Sequence, residues 1–72
     1  MSSNPEMDMV NQIFRGELEK FKHETESTRM EVVRVIAEAG ALDWLIEVAQ
    51  SDEDAAIRAY ADLAARYKEQ NS

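Results

Sequence analysis

One set of side chains in this sequence has the types and spacing of a metal site. His23 is the only histidine, with Glu19 four residues before it and Glu26 three residues after it. On a helix these positions share one face, and imidazole together with carboxylates can bind divalent metals. The surrounding residues are charged, however, and the apolar positions fall on the opposite side. We therefore interpret the three residues as part of a solvated charged face, and we expect no tight binding of zinc, iron or manganese and no cofactor.

The length of the chain argues against an enzyme. A catalytic site needs a nucleophile or a metal, and a tuned acid or base, in a cleft that excludes water, and 72 residues supply little material for such a cleft. There are no cysteines, which removes thiol nucleophiles, thiolate metal sites and disulfides together. We expect no catalytic residues. The alternative is a metal-dependent or hydrolytic enzyme assembled across a dimer from Glu19, His23 and Glu26.

A second set of side chains has the composition of a protein-binding surface. Trp44 is the only tryptophan, and tryptophan is enriched among residues that dominate interface energies. An apolar anchor rimmed by carboxylates resembles an interface core with its polar rim. The alternative is that Trp44 only covers the core. The predicted partner-binding residues are Asp43, Trp44, Glu47, Val48, Asp52, Glu53 and Asp54.

The charge balance favours a basic protein as the partner. Asp and Glu number 15 against 8 Lys and Arg, a formal net charge of -7, and the acids are spread along the chain. Nucleic-acid binders carry a basic stripe that displaces counterions from phosphates; no such stripe is present, so we expect no direct binding to nucleic acid. The N-terminus has no basic segment followed by an apolar run, and no stretch approaches the roughly 18 apolar residues of a membrane span. We expect a cytoplasmic protein that does not bind membranes.

The elements that position these residues are all predicted to be helices. Asn4 and Pro5 have the types of an N-cap and of a first helical residue. From there an apolar stripe with spacings of three and four predicts one long helix over 5–39, continuous or slightly kinked. The stripe comprises Met7, Val10, Phe14, Leu18, Phe21, Val32, Ile36 and Ala39, with Thr25 and Thr28 between its two halves.

The patch from Thr25 to Thr28 is the ambiguous part of this helix. Thr and Ser are poor residues for a helix interior, and the run from Thr28 to Glu31 matches a capping box, so two helices are the alternative. We favour continuity, because the stripe crosses the patch without a change of phase and without Gly, Asn or Pro.

Two more helices are predicted after Gly40. A glycine after Ala39 suits a left-handed C-terminal cap, and a short helix over 41–50 follows. Ser51 then has the type of an N-cap, and three acids occupy the first turn of a helix over 52–69. The expected inner face of this last helix holds Ala56, Tyr60, Leu63 or Ala64, and Tyr67.

The fold class predicted from these elements is all-α, a small bundle of three to four helices formed by residues 1–72 as a single domain. Val32, Val33, Val35 and Ile36 cannot all face one neighbouring helix, so the middle of the chain needs cover on two sides. A chain this short buries little surface alone, and we expect a homodimer that completes the core.

These properties predict an adaptor or regulator that binds another protein. A sharper form of the hypothesis is an inhibitor that occupies the basic groove of a nucleic-acid-binding protein, as some small acidic phage proteins do. That comparison is one of size and composition alone. A structural subunit of a larger assembly is the remaining alternative.

Overall fold

Four α-helices make up the part of the chain that the computed structural model describes, which is residues 5–71, with side chains from residue 9 onward. The helices are α1 (Pro5–Phe21), α2 (Glu26–Glu38), α3 (Leu42–Gln50) and α4 (Ala55–Gln70). The predicted all-α class is therefore confirmed. None of these four helices is long and apolar enough to cross a membrane. Pro5 opens α1 as predicted, while the expected cap at Asn4 lies outside the described residues.

The helix predicted over 5–39 is divided in two by a turn at residues 22–25, which corrects our preference for continuity. The new N-terminus is capped by Thr25, which has an extended backbone and whose hydroxyl oxygen accepts a hydrogen bond from the Thr28 N–H at 3.3 Å. The cap thus lies three residues before the capping box that we considered. A continuous helix over 5–39 would be about 50 Å long, whereas the molecule measures 35 × 27 × 18 Å. The turn brings Leu18 from the first half of the apolar stripe and Ile36 from the second half to one core, while Val10 and Ala39 stay exposed.

Gly40 ends α2 in the predicted left-handed conformation, with a φ of 83°. Its N–H donates to the carbonyl of Ala37 at 2.9 Å, and the N–H of Ala41 donates to the carbonyl of Ile36 at 3.0 Å. These two bonds form a Schellman motif, which satisfies the last carbonyls of the helix. The chain then reverses into α3, close to the predicted start.

The start of α4 differs from the prediction by three residues. Asp54 is the N-cap, and its carboxylate accepts from the N–H of Ala56 at 2.9 Å. Asp52 accepts from the N–H of Asp54 at 2.8 Å in the same way. Ser51 belongs to the end of α3, where its hydroxyl donates to the carbonyl of Glu47 at 3.2 Å. Because each aspartate binds the backbone two residues ahead, the acids expected in the first helical turn form the preceding loop instead.

The core receives side chains from all four helices, but very unequally. The closest packing is between α3 and α4, and among residues 9–21 of α1 only Leu18 is fully buried. Of the predicted inner face of α4, Tyr60, Leu63 and Ala64 are buried. The buried core comprises Leu18, Val33, Ile36, Leu45, Ala49, Ile57, Tyr60, Ala61, Leu63 and Ala64.

Candidate protein-binding site

Trp44 lies on the first turn of α3 and is half-buried against α1. Its ring and that of Phe14 are 6.0 Å apart between centroids and inclined by 48°. This tilted arrangement is one that aromatic pairs prefer, and it adds to the energy of burial alone. Trp44 therefore joins α3 to α1, and it also lines an open surface cleft.

The cleft beside Trp44 lies between α1, α3 and the loop that leads into α4. It has a volume of about 610 Å³ and is lined by Arg15, Trp44, Glu47, Val48, Ser51, Asp52 and Glu53. A depression of about 350 Å³ continues it along α1 and shares Arg15, Trp44 and Val48 with it. We call the two together the Trp44 cleft. An indole and a valine bordered by charged and hydroxyl groups form a surface that suits a protein segment.

Asp52 lies in the cleft but is not a free charge. Its side chain is only 8% exposed, and its carboxylate is 2.6 Å from the guanidinium of Arg15. The pKa of Asp52 is lowered, chiefly by the hydrogen bond from the Asp54 N–H and further by Arg15. Asp52 therefore fixes the loop and ties it to α1, and its predicted role in partner binding stays a prediction.

Asp54 and Asp43 lie outside the cleft and have partners of their own. The carboxylate of Asp54 is 2.6 Å from the ammonium of Lys22, which lowers its pKa, and the N–H of Ala56 lowers it further. Asp43 is 3.0 Å from the ammonium of Lys68. These contacts link the turn after α1 to the N-terminus of α4, and the start of α3 to the end of α4.

Glu47 and Glu53 are the carboxylates that remain at the rim of the cleft. Both side chains are exposed, and neither takes part in an ion pair within the described residues. The backbone around Glu53 is held by Arg58, which donates to the carbonyl of Glu53 at 2.8 Å and to that of Asp52 at 2.9 Å. Four of the seven predicted residues thus remain together as free cleft residues: Trp44, Glu47, Val48 and Glu53.

Sequence reasoning missed Asn11, Gln12, Arg15 and Ser51 as residues of the cleft. Ser51 follows α3 directly and could have been included with the loop. Arg15 is 37 positions from its partner Asp52, so the contact depends on how α1 packs and no local pattern points to it.

The three residues considered as a metal site have separate surroundings. Glu19 is 3.0 Å from the ammonium of Lys22, and Glu26 is 3.5 Å from the guanidinium of Arg66. His23 lies exposed in the turn after α1, beyond the helix that was expected to align it with the two glutamates. Within residues 5–71 no three His, Asp or Glu side chains are grouped so that they could hold a metal ion.

A second concave surface lies between α1 and α2, and we call it the α1–α2 groove. It has a volume of about 350 Å³ and is lined by Ile13, Phe14, Glu17, Phe21, Thr28, Glu31, Val32, Val35 and Ile36. The large apolar residues of α2 that were predicted to need cover on two sides do not all enter the core. Val33 and Ile36 enter the core, while Val35 remains 52% exposed beside the groove.

Comparison with known proteins identifies no relative of this chain. No protein-family model matches it, no curated protein matches it and no solved structure matches it. Its function must therefore be inferred from the residues and contacts of the chain itself.

Proposed function

We propose that this chain is a non-enzymatic protein-interaction module that binds a basic segment of another protein in the Trp44 cleft. The observation that carries the proposal is the combination of a half-buried indole with two unpaired carboxylates, Glu47 and Glu53, at the edge of one concavity. Tryptophan anchors of this kind dominate the binding energy of many interfaces, and rim charges select the partner and speed its arrival.

The chemistry of the cleft favours an arginine or lysine from the partner. An arginine could stack its guanidinium on the Trp44 ring and pair with a neighbouring carboxylate, which is a combination that lysine satisfies less well. Arg15 lies on the α1 side of the cleft, where it is paired with Asp52, and its charge would repel a cationic side chain of the partner. We therefore place the incoming cation on the side of Glu47 and Glu53.

The charge of the whole chain supports the same class of partner. A net charge of -7 on 72 residues produces a long-range field that attracts basic proteins and repels nucleic acid and anionic membranes. A nucleic-acid-binding protein presents the complementary basic surface. We accordingly propose a regulatory or inhibitory role in which this chain occupies such a surface, and we propose that it acts as a homodimer in the cytoplasm.

Affinity capture with charge-matched variants tests the proposal. The tagged chain and two double variants, Glu47→Lys/Glu53→Lys and Glu24→Lys/Asp62→Lys, would be used to capture proteins from the native host, followed by mass spectrometry. Both variants raise the net charge by the same amount, but only the first alters the cleft, because Glu24 and Asp62 are exposed residues that do not line it.

The expected result is a basic protein retained by the wild type and by the Glu24→Lys/Asp62→Lys variant, and lost with the Glu47→Lys/Glu53→Lys variant. The same captured proteins with both variants, or an acidic partner, would contradict binding at the cleft. Circular dichroism of each variant must show unchanged helicity for the comparison to count.

A further inference from the structure

The side chain of Arg15 gives the α1 side of the Trp44 cleft a positive surface. It is 49% exposed, whereas the side chain of Asp52, which pairs with it at 2.6 Å, is only 8% exposed. The carboxylate of this pair is therefore buried and the guanidinium faces solvent. Arg15 lines the cleft and also its continuation along α1, so a segment that fills the cleft lies beside this cation.

The guanidinium of Arg15 is held in place and keeps free donors. An arginine has five N–H donors in a rigid fork, and the one hydrogen bond that Arg15 makes to the described residues runs from Nη2 to Asp52. Asp52 is fixed in turn by the N–H of Asp54 at 2.8 Å, and Arg58 donates to the carbonyl of Asp52 at 2.9 Å. The remaining donors of Arg15 can bind a second carboxylate, in the paired geometry that arginine favours.

The α3 side and the loop side of the cleft carry the opposite charge. Glu47 and Glu53 are exposed and take part in no ion pair among the described residues. Trp44 and Val48 line both parts of the cleft, so an apolar surface adjoins the positive and the negative groups. A cleft with a fixed cation on one wall and two free carboxylates on another is dipolar, and it complements a segment of mixed charge better than one of basic residues alone.

We infer that Arg15 selects the partner segment by pairing with a carboxylate, so that this segment carries an acidic side chain near its arginine or lysine. This inference rests on the proposed function and specifies the chemistry of the partner. A segment of basic residues alone brings a cation against Arg15, whereas an acidic side chain at that position replaces the repulsion by an ion pair. Arg15 is thereby a specificity-determining residue as well as the residue that ties α1 to the loop.

The geometry of an extended chain indicates which spacing of the two charges suits the cleft. Side chains two residues apart lie on the same side of an extended chain, about 6.5 Å apart along it. A cavity of about 610 Å³ has the liquid volume of about 20 water molecules, which is enough for two such side chains. Asn11 and Gln12 line the continuation along α1, where their amide groups can bind the backbone of the same segment. We therefore expect an arginine and an aspartate separated by one residue to bind best.

Titration of the full chain with short peptides tests this inference, and the emission of Trp44 reports binding because it is the only tryptophan. The probes are acetylated and amidated heptapeptides of alanine and glycine that contain one arginine and one aspartate, separated by one, two or three residues. Each probe has a counterpart with asparagine in place of aspartate.

The protein variants remove or preserve the charge of Arg15. Arg15→Gln removes it, and Arg15→Lys keeps the charge but not the planar fork. The matched control is Arg66→Gln, which removes the same charge from a side chain that is 57% exposed, lies on α4 and does not line the cleft. Circular dichroism at 222 nm verifies that each variant folds, and Arg15→Lys supplies the comparison if Arg15→Gln does not.

The decisive quantity is the ratio of the affinities for the aspartate peptide and its asparagine counterpart. Arg15→Gln and Arg66→Gln change the net charge equally, so a difference between their ratios reports the contact at Arg15 and not the field of the whole chain. At the spacing that binds best, the ratio should be about three- to fivefold higher in the wild type and in Arg66→Gln than in Arg15→Gln, with Arg15→Lys between them, as expected for one partly exposed ion pair. Ratios in both Arg15 variants that equal the ratio of Arg66→Gln at every spacing would overturn the inference.

The Glu47→Lys/Glu53→Lys variant separates this inference from the proposed function. Its affinity for all the peptides should fall below that of Glu24→Lys/Asp62→Lys, because the arginine of the peptide binds at the two cleft carboxylates. Equal affinities in these two variants would contradict the proposed function, while the ratio measured with Arg15→Gln would still decide the pairing at Arg15. A chain that binds none of the peptides would contradict both.

Discussion

Replacing Trp44 with alanine should separate the two contributions of this residue, because the ring both packs against α1 and lines the cleft. Removing a fully buried tryptophan costs about 3 to 5 kcal/mol. Trp44 is half-buried, and its contact with Phe14 accounts for about 0.5 to 1.5 kcal/mol of the effect. We therefore expect Trp44→Ala to reduce the free energy of unfolding by about 2 kcal/mol and to lower the Tm by about 10 °C.

The assay is urea unfolding followed by circular dichroism at 222 nm, since the variant has no tryptophan to report by fluorescence. The measurement is made at two protein concentrations, because an equal free energy of unfolding at both shows that self-association does not contribute to stability. A double-mutant cycle with Phe14→Ala should give a coupling of about 0.5 to 1.5 kcal/mol. A loss above about 4 kcal/mol would place Trp44 in the core, and a loss below about 0.5 kcal/mol would show that the ring has no packing role. Either result would refute the description of Trp44 as a half-buried anchor.

Three further predictions concern stability. Gly40→Ala should destabilise the chain by about 1 kcal/mol, because L-residues disfavour the left-handed conformation at φ 83°. Gly16→Ala should instead stabilise it by about 0.5 to 1 kcal/mol, because Gly16 lies in open space on α1. Urea unfolding measures both changes. When the pH rises from 7 to 11, the free energy of unfolding of the wild type should fall by about 1.4 kcal/mol more than that of Tyr60→Phe in the same assay. The reason is that burial raises the pKa of Tyr60 from 10.0 to about 12 and disfavours the charged form in the folded chain. Asp54→Asn should lower the Tm at pH 7 by more than at pH 2.5, because the pKa of Asp54 is lowered in the folded state, so its stabilising contribution declines below its ordinary value of 3.8 and is lost as pH falls through the lower folded-state pKa.

Each of these predictions has a specific contrary result. Equal effects at the two glycines would refute the left-handed cap. A Tyr60→Phe variant whose alkaline stability follows that of the wild type would show that the hydroxyl ionises freely in the folded chain. An Asp54→Asn variant whose Tm deficit is as large at pH 2.5 as at pH 7 would show that the ionised carboxylate of Asp54 does not stabilise the folded chain.

The helical class and the glycine cap of α2 could be predicted from the sequence, because a glycine directly after an apolar stripe is favoured by its own backbone freedom. The observed N-caps, Thr25 and Asp54, each lie three residues from the residue considered for that role. The division at residues 22–25 could not be predicted in the same way. The apolar spacing is compatible with a straight helix, whereas the turn allows α2 to pack against α4, and such tertiary packing is not visible in the spacing.

The candidate site was predicted in part for a related reason. Trp44, Glu47 and Val48 lie on one short helix, so their proximity follows from helical spacing alone. The ion pairs of the nearby acids depend on cations from other parts of the chain: Lys22 in the turn after α1 for Asp54, Arg15 on α1 for Asp52 and Lys68 on α4 for Asp43. The exposure of Val10 on α1 was also hidden in the sequence, because its position in the apolar stripe has the spacing of a core face.

The association rate between this chain and its captured partner tests the central claim most directly. A stopped-flow experiment with a dye-labelled partner would compare the wild type, Glu47→Lys/Glu53→Lys and Glu24→Lys/Asp62→Lys at low and at physiological salt, where the Debye length is about 8 Å. We predict that the wild-type rate falls several-fold as salt rises, and that the cleft variant associates about fivefold more slowly than its charge-matched control at low salt. Equal rates for the two variants, or a wild-type rate that does not change with salt, would contradict the assignment of the Trp44 cleft as the binding site for a basic protein.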